Sequence, residues 1–285
     1  MDSAQNSRSI LVTGCSSGIG LAIATGLHQR GYQVFASVRK KQDVEKIQQL
    51  GLKCLLLDLA DTDSIRQAVK LLMQQTDNQL YTLINNGAYG QPGAVEDLQT
   101  DVLRRQFETN LFGTHELTRL LIPALRKQQH SHIIQLSSIL GFICLPYRGA
   151  YNASKYALEA LTDTMRLELA GSGIHISLIE PGPVTSRFRE NAYSAFTAAI
   201  NPENSIHKEA YQKEIKRMQS DKPIPFTLPA DAVLEKVIHA LESGRPRIRY
   251  PVTKPAHVFS FLKRILPDKW MNAILISASG HKKGR

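Results

Sequence analysis

A tyrosine and a lysine four positions apart form a chemically active pair. On a helix, Tyr151 and Lys155 would share one face, because residues four apart are neighbours there. An ammonium beside a phenol favours the phenolate and lowers the tyrosine pKa from about 10, which gives an acid or base usable near neutral pH. Ser138 follows an apolar run, and its hydroxyl could bind the same reacting oxygen. This spacing also occurs in ordinary surface pairs, so the prediction depends on further motifs.

A glycine-rich loop follows the first apolar run of the chain. Gly14, Gly18 and Gly20 stand in the pattern G-x-x-x-G-x-G, and Ser16, Ser17 and Ile19 lie between them. A pyrophosphate must come close to backbone N–H groups at a helix N-terminus, where side chains would block it. The loop therefore predicts a dinucleotide site.

The same residues also fit a second class of enzyme. The stretch from Gly14 to Gly18 matches G-x-S-x-G, the nucleophile elbow of serine hydrolases, with Ser16 as nucleophile. His239 and His257 are available later in the chain as bases. Against this alternative, the motif follows the first strand, Gly20 has no role in it, and no HGGG-type oxyanion loop occurs.

The residues after the second apolar run indicate which dinucleotide binds. Val38 stands where NAD sites usually carry an acid, and Arg39 begins a run of three bases. A guanidinium suits a 2′-phosphate, and Ser17 could add a hydroxyl, so this pattern predicts NADP(H). Asp58 could accept a hydrogen bond from the adenine. The alternatives are a solvated basic helix start and a simple N-terminal helix acid.

Apolar runs alternate with helical spacing along the chain. Strands are predicted at 10–12, 33–38, 53–59, 81–84, 132–136, 174–179 and 247–252, and helices at 19–29, 42–50, 62–76, 100–127 and 151–171. Near-continuous apolar strands between helices indicate a parallel sheet covered on both faces. The predicted fold class is therefore α/β, a doubly wound parallel sheet of about seven strands, with ligands beyond the carboxyl ends of the strands.

Several motifs together resemble the short-chain dehydrogenase/reductase family over residues 8–252. They are TGCSSGIG, INN at 84–86, Asn110, LSS followed by YNASK, and IEPGPV at 179–184. The resemblance implies one NADP-binding Rossmann-type catalytic domain over 1–285. It implies Tyr151 as proton donor and acceptor, Lys155 lowering its pKa and holding the nicotinamide ribose, Ser138 stabilising the substrate oxygen, and Asn110 supporting a proton relay.

The resemblance also implies a cofactor wall. It assigns Pro181, Gly182, Val184 and Ser186 to the nicotinamide end, and it adds Leu59, Asn86, Gly87 and Ala88 to the cofactor-binding residues. The family's N-N-A-G stands here as Asn85-Asn86-Gly87-Ala88, with the last two residues exchanged. Within the family, the motifs most resemble bacterial NADP-dependent aldehyde reductases and hydroxysteroid and retinol dehydrogenases.

Composition bounds the function classes. The 285 residues, 42% hydrophobic and 21% charged, are typical of a globular chain, and no run of about 18 apolar residues predicts a membrane span. No secretory signal is recognisable, and three scattered cysteines indicate reduced thiols, so a cytoplasmic location is expected. No metal site is predicted, since His130 and His132 are too sparse a pair.

Two late segments have their own predictions. Residues 187–229 mix Phe188, Tyr193, Phe196 and Ile200 with a charged helical stretch at 203–218, which predicts either a substrate lid or a plain packed excursion. With Leu140, Phe142, Leu145 and Tyr147, this segment suggests an apolar pocket for a small lipophilic carbonyl or alcohol.

The C-terminal extension, 253–285, is basic and amphipathic. The last 41 residues hold ten Lys or Arg and one acid, whereas the rest is nearly neutral, which argues against nucleic acid as a partner. Val258, Phe259, Phe261, Leu262, Ile265 and Leu266, and after Pro267 Trp270, Met271, Ile274 and Leu275, have helical spacing. Their apolar face would either lie weakly on an anionic membrane surface or, as we favour, pack on the body or on a second subunit.

The sequence thus predicts an NADP(H)-dependent oxidoreductase that transfers a hydride between nicotinamide and a carbonyl or alcohol, most simply by reducing a lipophilic aldehyde or ketone. The resemblance implies a homodimer or homotetramer. The alternatives are a non-catalytic NADP-sensing protein and the Ser16 hydrolase. A sensor would not need to retain both Ser138 and Tyr151.

Overall fold

Strands and helices alternate from the first described residues onward. The computed structural model describes residues 8–220, 222 and 224–280. The strands are Ser9–Val12 (β1), Gln33–Val38 (β2), Lys53–Leu56 (β3), Thr82–Asn85 (β4), Ser131–Leu136 (β5), Ile174–Glu180 (β6) and Arg249–Pro251 (β7). The α-helices are Gly18–Gln29 (α1), Val44–Gln48 (α2), Thr62–Gln75 (α3), Thr100–Phe107 (α4), Gly113–Leu125 (α5), Gly149–Glu168 (α6), Phe188–Ala199 (α7), Lys208–Gln219 (α8), Asp231–Glu242 (α9), Lys254–Ile265 (α10) and Asp268–Ala278 (α11).

The strands within the described ranges form one sheet in the order β3-β2-β1-β4-β5-β6-β7, and every neighbouring pair is parallel. The chain winds outward from β1 in one direction and from β4 in the other. This arrangement confirms the predicted doubly wound α/β class with seven strands. Its switch point lies between β1 and β4, where such sheets open a crevice beyond their carboxyl ends.

Alternate residues of each strand enter two separate apolar clusters. Val12 and Ile84 belong to the cluster under α1 and α9, whereas Leu11 and Leu83 belong to the cluster under α3 and α5. Successive strand side chains point to opposite faces, so strands buried on both faces need the continuous apolar runs seen in the sequence. Both faces are thereby covered, and the carboxyl edge stays free for a site.

The predicted helix over 100–127 is confirmed as one continuous helical run, with a wider turn inside it. It consists of α4, a π-helical turn at Glu108–Phe112, and α5, which ends at Leu125. A Cβ on Gly113 would lie 1.7 Å from the Leu59 carbonyl oxygen, so α5 begins in direct backbone contact with the loop after β3. The wider turn lies beside this contact and holds Asn110, whose side chain is buried.

The other differences concern boundaries and two helices, α7 and α9, that the sequence did not lead us to predict. β3 ends at Leu56 and β7 spans only Arg249–Pro251, so both are shorter than expected. Helix α9 was not predicted, although its buried Val233, Val237, Ala240 and Leu241 have helical spacing. The extension from 253 forms α10 and α11, and Pro267 separates them as its position predicts.

No helix in the described parts of the chain combines the length and apolar character needed to cross a bilayer.

Candidate active site

The glycine loop has the geometry that close contact with a ligand requires. Gly14 and Gly18 have φ of +70° and +60°, and a Cβ on Gly20 would lie 2.3 Å from the Gly14 carbonyl oxygen. Ser17 stands at the N-cap of α1 without a side-chain cap, so the first N–H groups of this helix have no side-chain acceptor. Unsatisfied donors at a helix N-terminus favour an anion, so the loop fits a dinucleotide pyrophosphate. Ser16, Ser17 and Ile19 are half-buried in this loop.

Two neighbouring loops are braced together at the switch point. The Asn86 side-chain amide donates to the carbonyl oxygens of Thr13 and Gly14 at 2.9 and 3.2 Å. The Thr13 hydroxyl accepts from the backbone N–H groups of Asn86 and Gly87 at 2.9 and 2.8 Å. This places Asn86 and Gly87 beside the glycine loop, as predicted. Thr13 itself was missed, because a strand-end threonine carries no distinctive spacing.

The exchange of Gly87 and Ala88 fits its surroundings. A Cβ on Gly87 would lie 2.9 Å from Leu59 Cδ1 and 3.2 Å from Thr13 Oγ1. The missing methyl thus makes room for the buried Leu59, while Ala88 is half-buried at the next position. The loop keeps its bracing to Thr13 despite the departure from the family pattern.

Ser138, Tyr151 and Lys155 meet at the carboxyl end of β5. The Ser138 hydroxyl lies close enough to the Tyr151 phenol to act on its pKa. Lys155 Nζ donates to the Leu136 carbonyl oxygen at 2.7 Å and lies 5.8 Å from the centre of the Tyr151 ring. All three side chains are buried. The predicted grouping of a phenol, a hydroxyl and an ammonium is therefore present in space.

The pKa of Tyr151 is raised in this structure, whereas the sequence predicted that it would be lowered. Burial raises the pKa of Tyr151 to about 12, and only the hydrogen bond with Ser138 acts in the other direction. Burial also lowers the pKa of Lys155 to about 8, with Glu159 opposing it. The prediction is wrong here because desolvation of the phenol outweighs the effect expected of an ammonium that points at a backbone carbonyl.

Asn110 lies in the π-helical turn and contacts the two sides of the site. Its amide donates to the Tyr89 carbonyl oxygen at 3.0 Å and to Ser154 Oγ at 3.1 Å, and its Oδ1 accepts from the Tyr89 N–H at 3.2 Å. Asn110 thus joins the loop after β4 to helix α6. Its predicted place in a proton relay remains a prediction.

The residues proposed for the adenosine end lie beyond β2 and β3. Arg39 is exposed directly after the buried Val38, and within the described ranges Arg39, Lys40 and Lys41 form no ion pair. Asp58 Oδ1 accepts from the Ala60 N–H at 3.0 Å, whereas Asp61 caps helix α3. Asp58 is therefore a turn residue rather than a helix cap.

The segment after β6 reaches the glycine loop. The Pro181 carbonyl oxygen accepts from the Ile139 N–H at 2.8 Å, and a Cβ on Gly182 would lie 2.1 Å from Thr253 Oγ1. Further along, the backbone of Val184 forms an isolated β-bridge with Leu228. Ser186 reaches the glycine loop, since a Cβ on Gly18 would lie 3.1 Å from Ser186 Cβ. Segment 181–186 thus runs from the turn after Ser138 to the glycine loop, and its place at the nicotinamide end remains a prediction.

A phenylalanine covers the reactive tyrosine. The Phe188 ring lies 5.2 Å from the Tyr151 ring, edge to face, and a Cβ on Gly90 would lie 2.6 Å from Phe188 Cζ. Phe188 therefore spans from the loop after β4 to helix α6. The rest of segment 187–229 has its own core, in which the rings of Phe196 and Tyr211 lie 5.1 Å apart. Segment 187–229 therefore covers Tyr151 with Phe188, as a lid would, and also packs around a core of its own, as a packed excursion would.

A pocket of about 560 Å³ adjoins helix α6. Its lining includes three residues of this helix: Asn152 and Ala153, which follow Tyr151, and Tyr156, which follows Lys155. Tyr151 and Lys155 themselves do not line it. The other lining residues come from the first residue of α6, from the loops that precede it and from α11: Gly149, Val95, Cys144, Leu145, Pro146, Tyr147, Asn272, Leu275 and Ile276. Of the four residues predicted for an apolar pocket, Leu145 and Tyr147 line it, whereas Leu140 and Phe142 pack in the cluster beside α10 and α11.

A buried ionic cluster lies directly behind Pro181. Arg249 of β7 pairs with Glu159, and with Glu180 and Asp163 at 2.6 Å each. Burial, and then the nearby Glu159, raise the pKa of Glu180 to about 7, although Arg249 acts in the other direction. This cluster could not be predicted, because Arg249 is far from its three partners in the chain.

The hydrolase alternative finds no support in this geometry. His239 Nδ1 is hydrogen-bonded to the Tyr250 hydroxyl at 2.9 Å, and among the described residues no hydrogen bond joins Ser16 to a histidine. No cluster of three or more metal-ligating side chains occurs within the described ranges either.

Comparison with known proteins agrees with this geometry. The family model of the short chain dehydrogenases matches residues 8–195. The chain is 40% identical over 275 residues to the uncharacterized oxidoreductase YbbO of Escherichia coli, with 94% of each chain covered. It is 31% identical to an NADPH-dependent 3-dehydrocapnine reductase of Ornithobacterium rhinotracheale, covering 94% of this chain and 95% of that one.

The fold agrees as well. A short-chain dehydrogenase from Streptomyces avermitilis superposes with a TM-score of 0.76 over 96% of both chains, at 23% identity. The sheet order, the glycine loop, the clustered Ser138, Tyr151 and Lys155, and these matches lead to one conclusion: the chain belongs to the short-chain dehydrogenase/reductase family and is an oxidoreductase.

Proposed function

We propose that this protein is an NADP(H)-dependent reductase of lipophilic aldehydes or ketones, able to run in reverse as an alcohol dehydrogenase. The observation that carries the proposal is the grouping of Ser138, Tyr151 and Lys155 beside a crevice whose glycine loop fits a dinucleotide. A phenol and a second hydroxyl at one point can bind a single carbonyl oxygen and give it a proton.

The bound NADPH would supply the hydride. Tyr151 donates its proton to the substrate oxygen, and its raised pKa keeps the phenol protonated at neutral pH until it is needed. Ser138 holds that oxygen with its hydroxyl. Lys155, when protonated, stabilises the phenolate that the transfer leaves behind. Asn110 keeps the Tyr89 loop against α6, so that these groups stay in position.

We infer NADP(H) rather than NAD(H) from the end of β2. The exposed Arg39 follows the apolar Val38, so a planar cation is present where a carboxylate would repel a 2′-phosphate. The name of the Ornithobacterium relative, an NADPH-dependent reductase, supports this choice.

The lipophilic substrate is inferred from the pocket beside α6. Its lining is mainly apolar, from Leu145, Pro146, Leu275 and Ile276, with Tyr147 and Tyr156 offering rings. A pocket with such a lining contacts a ligand through apolar surface and fixes it with few polar groups, here Asn152 and Asn272. The three free cysteines, Cys15, Cys54 and Cys144, support a reducing compartment such as the cytoplasm.

The test is a panel of aldehydes and ketones of increasing chain length, followed by the loss of NADPH absorbance, with NADH measured alongside. We expect turnover with NADPH, and a kcat/KM that rises with the apolar size of the substrate. Turnover confined to NADH, or to small polar carbonyls, would overturn the corresponding part of the proposal. Binding of NADPH without turnover of any carbonyl or alcohol would favour a sensor.

A further inference from the structure

The C-terminal hairpin, made of α10 and α11 over 254–278, has two apolar sides. The inner side packs on the body: Phe259 and Leu262 of α10 and the buried Met271 and Leu275 of α11 lie in one cluster with Ile143. This contact anchors both helices to the loop that follows Ser138. It accounts for only part of the apolar surface of the hairpin.

The outer side remains exposed. We name as the outer stripe the five large apolar residues that the body leaves uncovered: Val258, Phe261, Ile265, Trp270 and Ile274, with exposed fractions of 53, 63, 56, 63 and 38%. Within each helix they recur at spacings of three or four, so each helix presents them along one face. Because both helices bury their inner sides in the same cluster, the outer stripe faces away from the body.

Basic side chains accompany the outer stripe. Lys254, Lys263, Arg264 and Lys269 are exposed on the two helices. The single acid of the hairpin, Asp268, lies 3.8 Å from Lys263. The sequence adds two lysines and an arginine after residue 280. The outer side of the hairpin is therefore both apolar and cationic. A partner surface that matches it must be both apolar and anionic.

A second copy of the chain fits this surface poorly. A symmetric contact would set the same patch against itself, so the bases of the two hairpins would face each other without enough acids to pair with. An anionic lipid surface has no such conflict, since the apolar residues enter the acyl boundary while the bases stay among phosphates. An exposed tryptophan suits that boundary as well.

We propose that the outer stripe docks this enzyme on the surface of an anionic bilayer. The hairpin lies in the plane of the headgroups, with Phe261 and Trp270 as the main apolar anchors and Lys263 and Arg264 among the anchoring charges. α11 supplies Asn272, Leu275 and Ile276 to the wall of the pocket beside α6. Docking therefore brings one wall of this pocket to the lipid, where lipophilic carbonyls dissolve; this last step rests on the proposed function.

The test is flotation of the full chain with vesicles of phosphatidylcholine and phosphatidylserine, with phosphatidylcholine vesicles alongside, at low and high salt. We expect binding to the mixed vesicles only, weakened by salt. The double variant Phe261→Ser/Trp270→Ser should lower the bound fraction by about tenfold or more, since it removes the apolar anchors. Lys263→Gln/Arg264→Gln should lower it and flatten its salt dependence.

The control is Leu167→Ser, which removes a 79% exposed leucine from α6. It should bind vesicles like the unaltered chain. Equal binding by Phe261→Ser/Trp270→Ser, or no binding of the unaltered chain to anionic vesicles, would overturn the proposal. Sedimentation velocity tests the other occupant. If Phe261→Ser/Trp270→Ser dissociates an oligomer, and neither this variant nor the unaltered chain floats with vesicles, the outer stripe is a subunit contact and the proposal is overturned. None of these measurements needs turnover, and reduction of a water-soluble carbonyl should be unchanged in both double variants, so the proposed function is tested separately.

Discussion

The ring of Phe188 lies edge to face against the ring of Tyr151, with 5.2 Å between the ring centres. Because Phe188 also contacts Gly90, it closes the space above the reactive phenol from two sides. Tyr151 is only 7% exposed as a result of its surroundings. A substrate that approaches the phenol from this side therefore meets this ring.

Replacing Phe188 with alanine should widen this entrance. We expect kcat/KM for a bulky ketone, relative to a small aldehyde, to rise by about tenfold, the scale at which pocket volume discriminates between substrates. Steady-state kinetics on matched soluble substrates measures this ratio. Phe261→Ala, on the exposed side of α10, is the control and should leave the ratio unchanged; an unchanged ratio in Phe188→Ala would mean that the ring does not limit access.

Tyr151→Phe should abolish turnover without preventing NADPH binding. The phenol is the proposed proton donor, and loss of such a group lowers the rate by about 10²–10⁴ or more. Stopped-flow or steady-state assays measure the rate, and fluorescence titration measures cofactor affinity. Tyr32→Phe is the control, because Tyr32 directly precedes β2 at the opposite edge of the sheet. Wild-type turnover in Tyr151→Phe would contradict the mechanism.

Arg39→Ala should weaken NADPH and spare NADH. A lost charge-assisted contact costs about 1.5–3 kcal/mol, so the Kd for NADPH should rise by roughly ten- to a hundredfold. Titration with both cofactors gives the comparison. Lys46→Ala removes a nearby exposed base of α2 and should change neither affinity. If the ratio of the NADPH and NADH affinities is the same in Arg39→Ala as in the unaltered chain, Arg39 does not set the cofactor preference. The preference then depends on Ser17 or Lys40, or the enzyme prefers NAD.

Lys155→Met should remove turnover yet stabilise the cofactor-free chain at neutral pH. Burial lowers the pKa of Lys155 to about 8, so below that pH the folded state holds a charge that it disfavours. This cost falls only as pH rises from about 8 toward the unfolded pKa of about 10.4, because in that range the folded chain has released a proton that the unfolded chain still holds. Methionine avoids that cost, and we expect a gain of ~1–2 kcal/mol at pH 7. Denaturant unfolding measures it, and a loss of stability would show that the bond to Leu136 dominates.

Glu180→Gln should change how stability depends on pH. The pKa of Glu180 is raised to about 7, so between about pH 4.3 and 7 the folded chain keeps a proton that the unfolded chain has released. The contribution of Glu180 to stability therefore falls as pH rises through this window, by ~2–3 kcal/mol. Denaturant unfolding at several pH values measures this contribution. As pH rises through this range, the free energy of unfolding of Glu180→Gln should fall less steeply, or rise more steeply, than that of the unaltered chain. Parallel curves for the two proteins would show that Glu180 does not titrate in this window.

Local patterns were enough to predict the sheet and the grouping of the candidate site. Glycines at 14, 18 and 20, and the four-residue interval from Tyr151 to Lys155, are constraints within one turn or one helix, so they can be recognised in the sequence. Their meeting in space followed from strand order, since parallel strands bring their carboxyl ends to one edge.

What could not be predicted depends on distant partners. The π-helical turn between α4 and α5 lies beside the backbone contact of Gly113 with Leu59, and the direction of the shift in the Tyr151 pKa depends on burial that no spacing encodes. The pairing of Arg249 with Glu159, Asp163 and Glu180 joins three elements. Helix α9 is the exception, because its apolar spacing was available and was overlooked.

The packing of α9 on α1 has a consequence for how the chain is made. A Cβ on Gly26 would lie 2.2 Å from Leu234 Cδ2, and Arg30 pairs with Glu242 at 2.6 Å, so the first helix is completed by one that follows some two hundred residues later. During synthesis the ribosome releases α1 long before α9 exists, and its apolar face stays uncovered for most of that time. Contacts this distant in sequence slow folding. The nascent chain therefore passes through a long stage in which it depends on protection from aggregation.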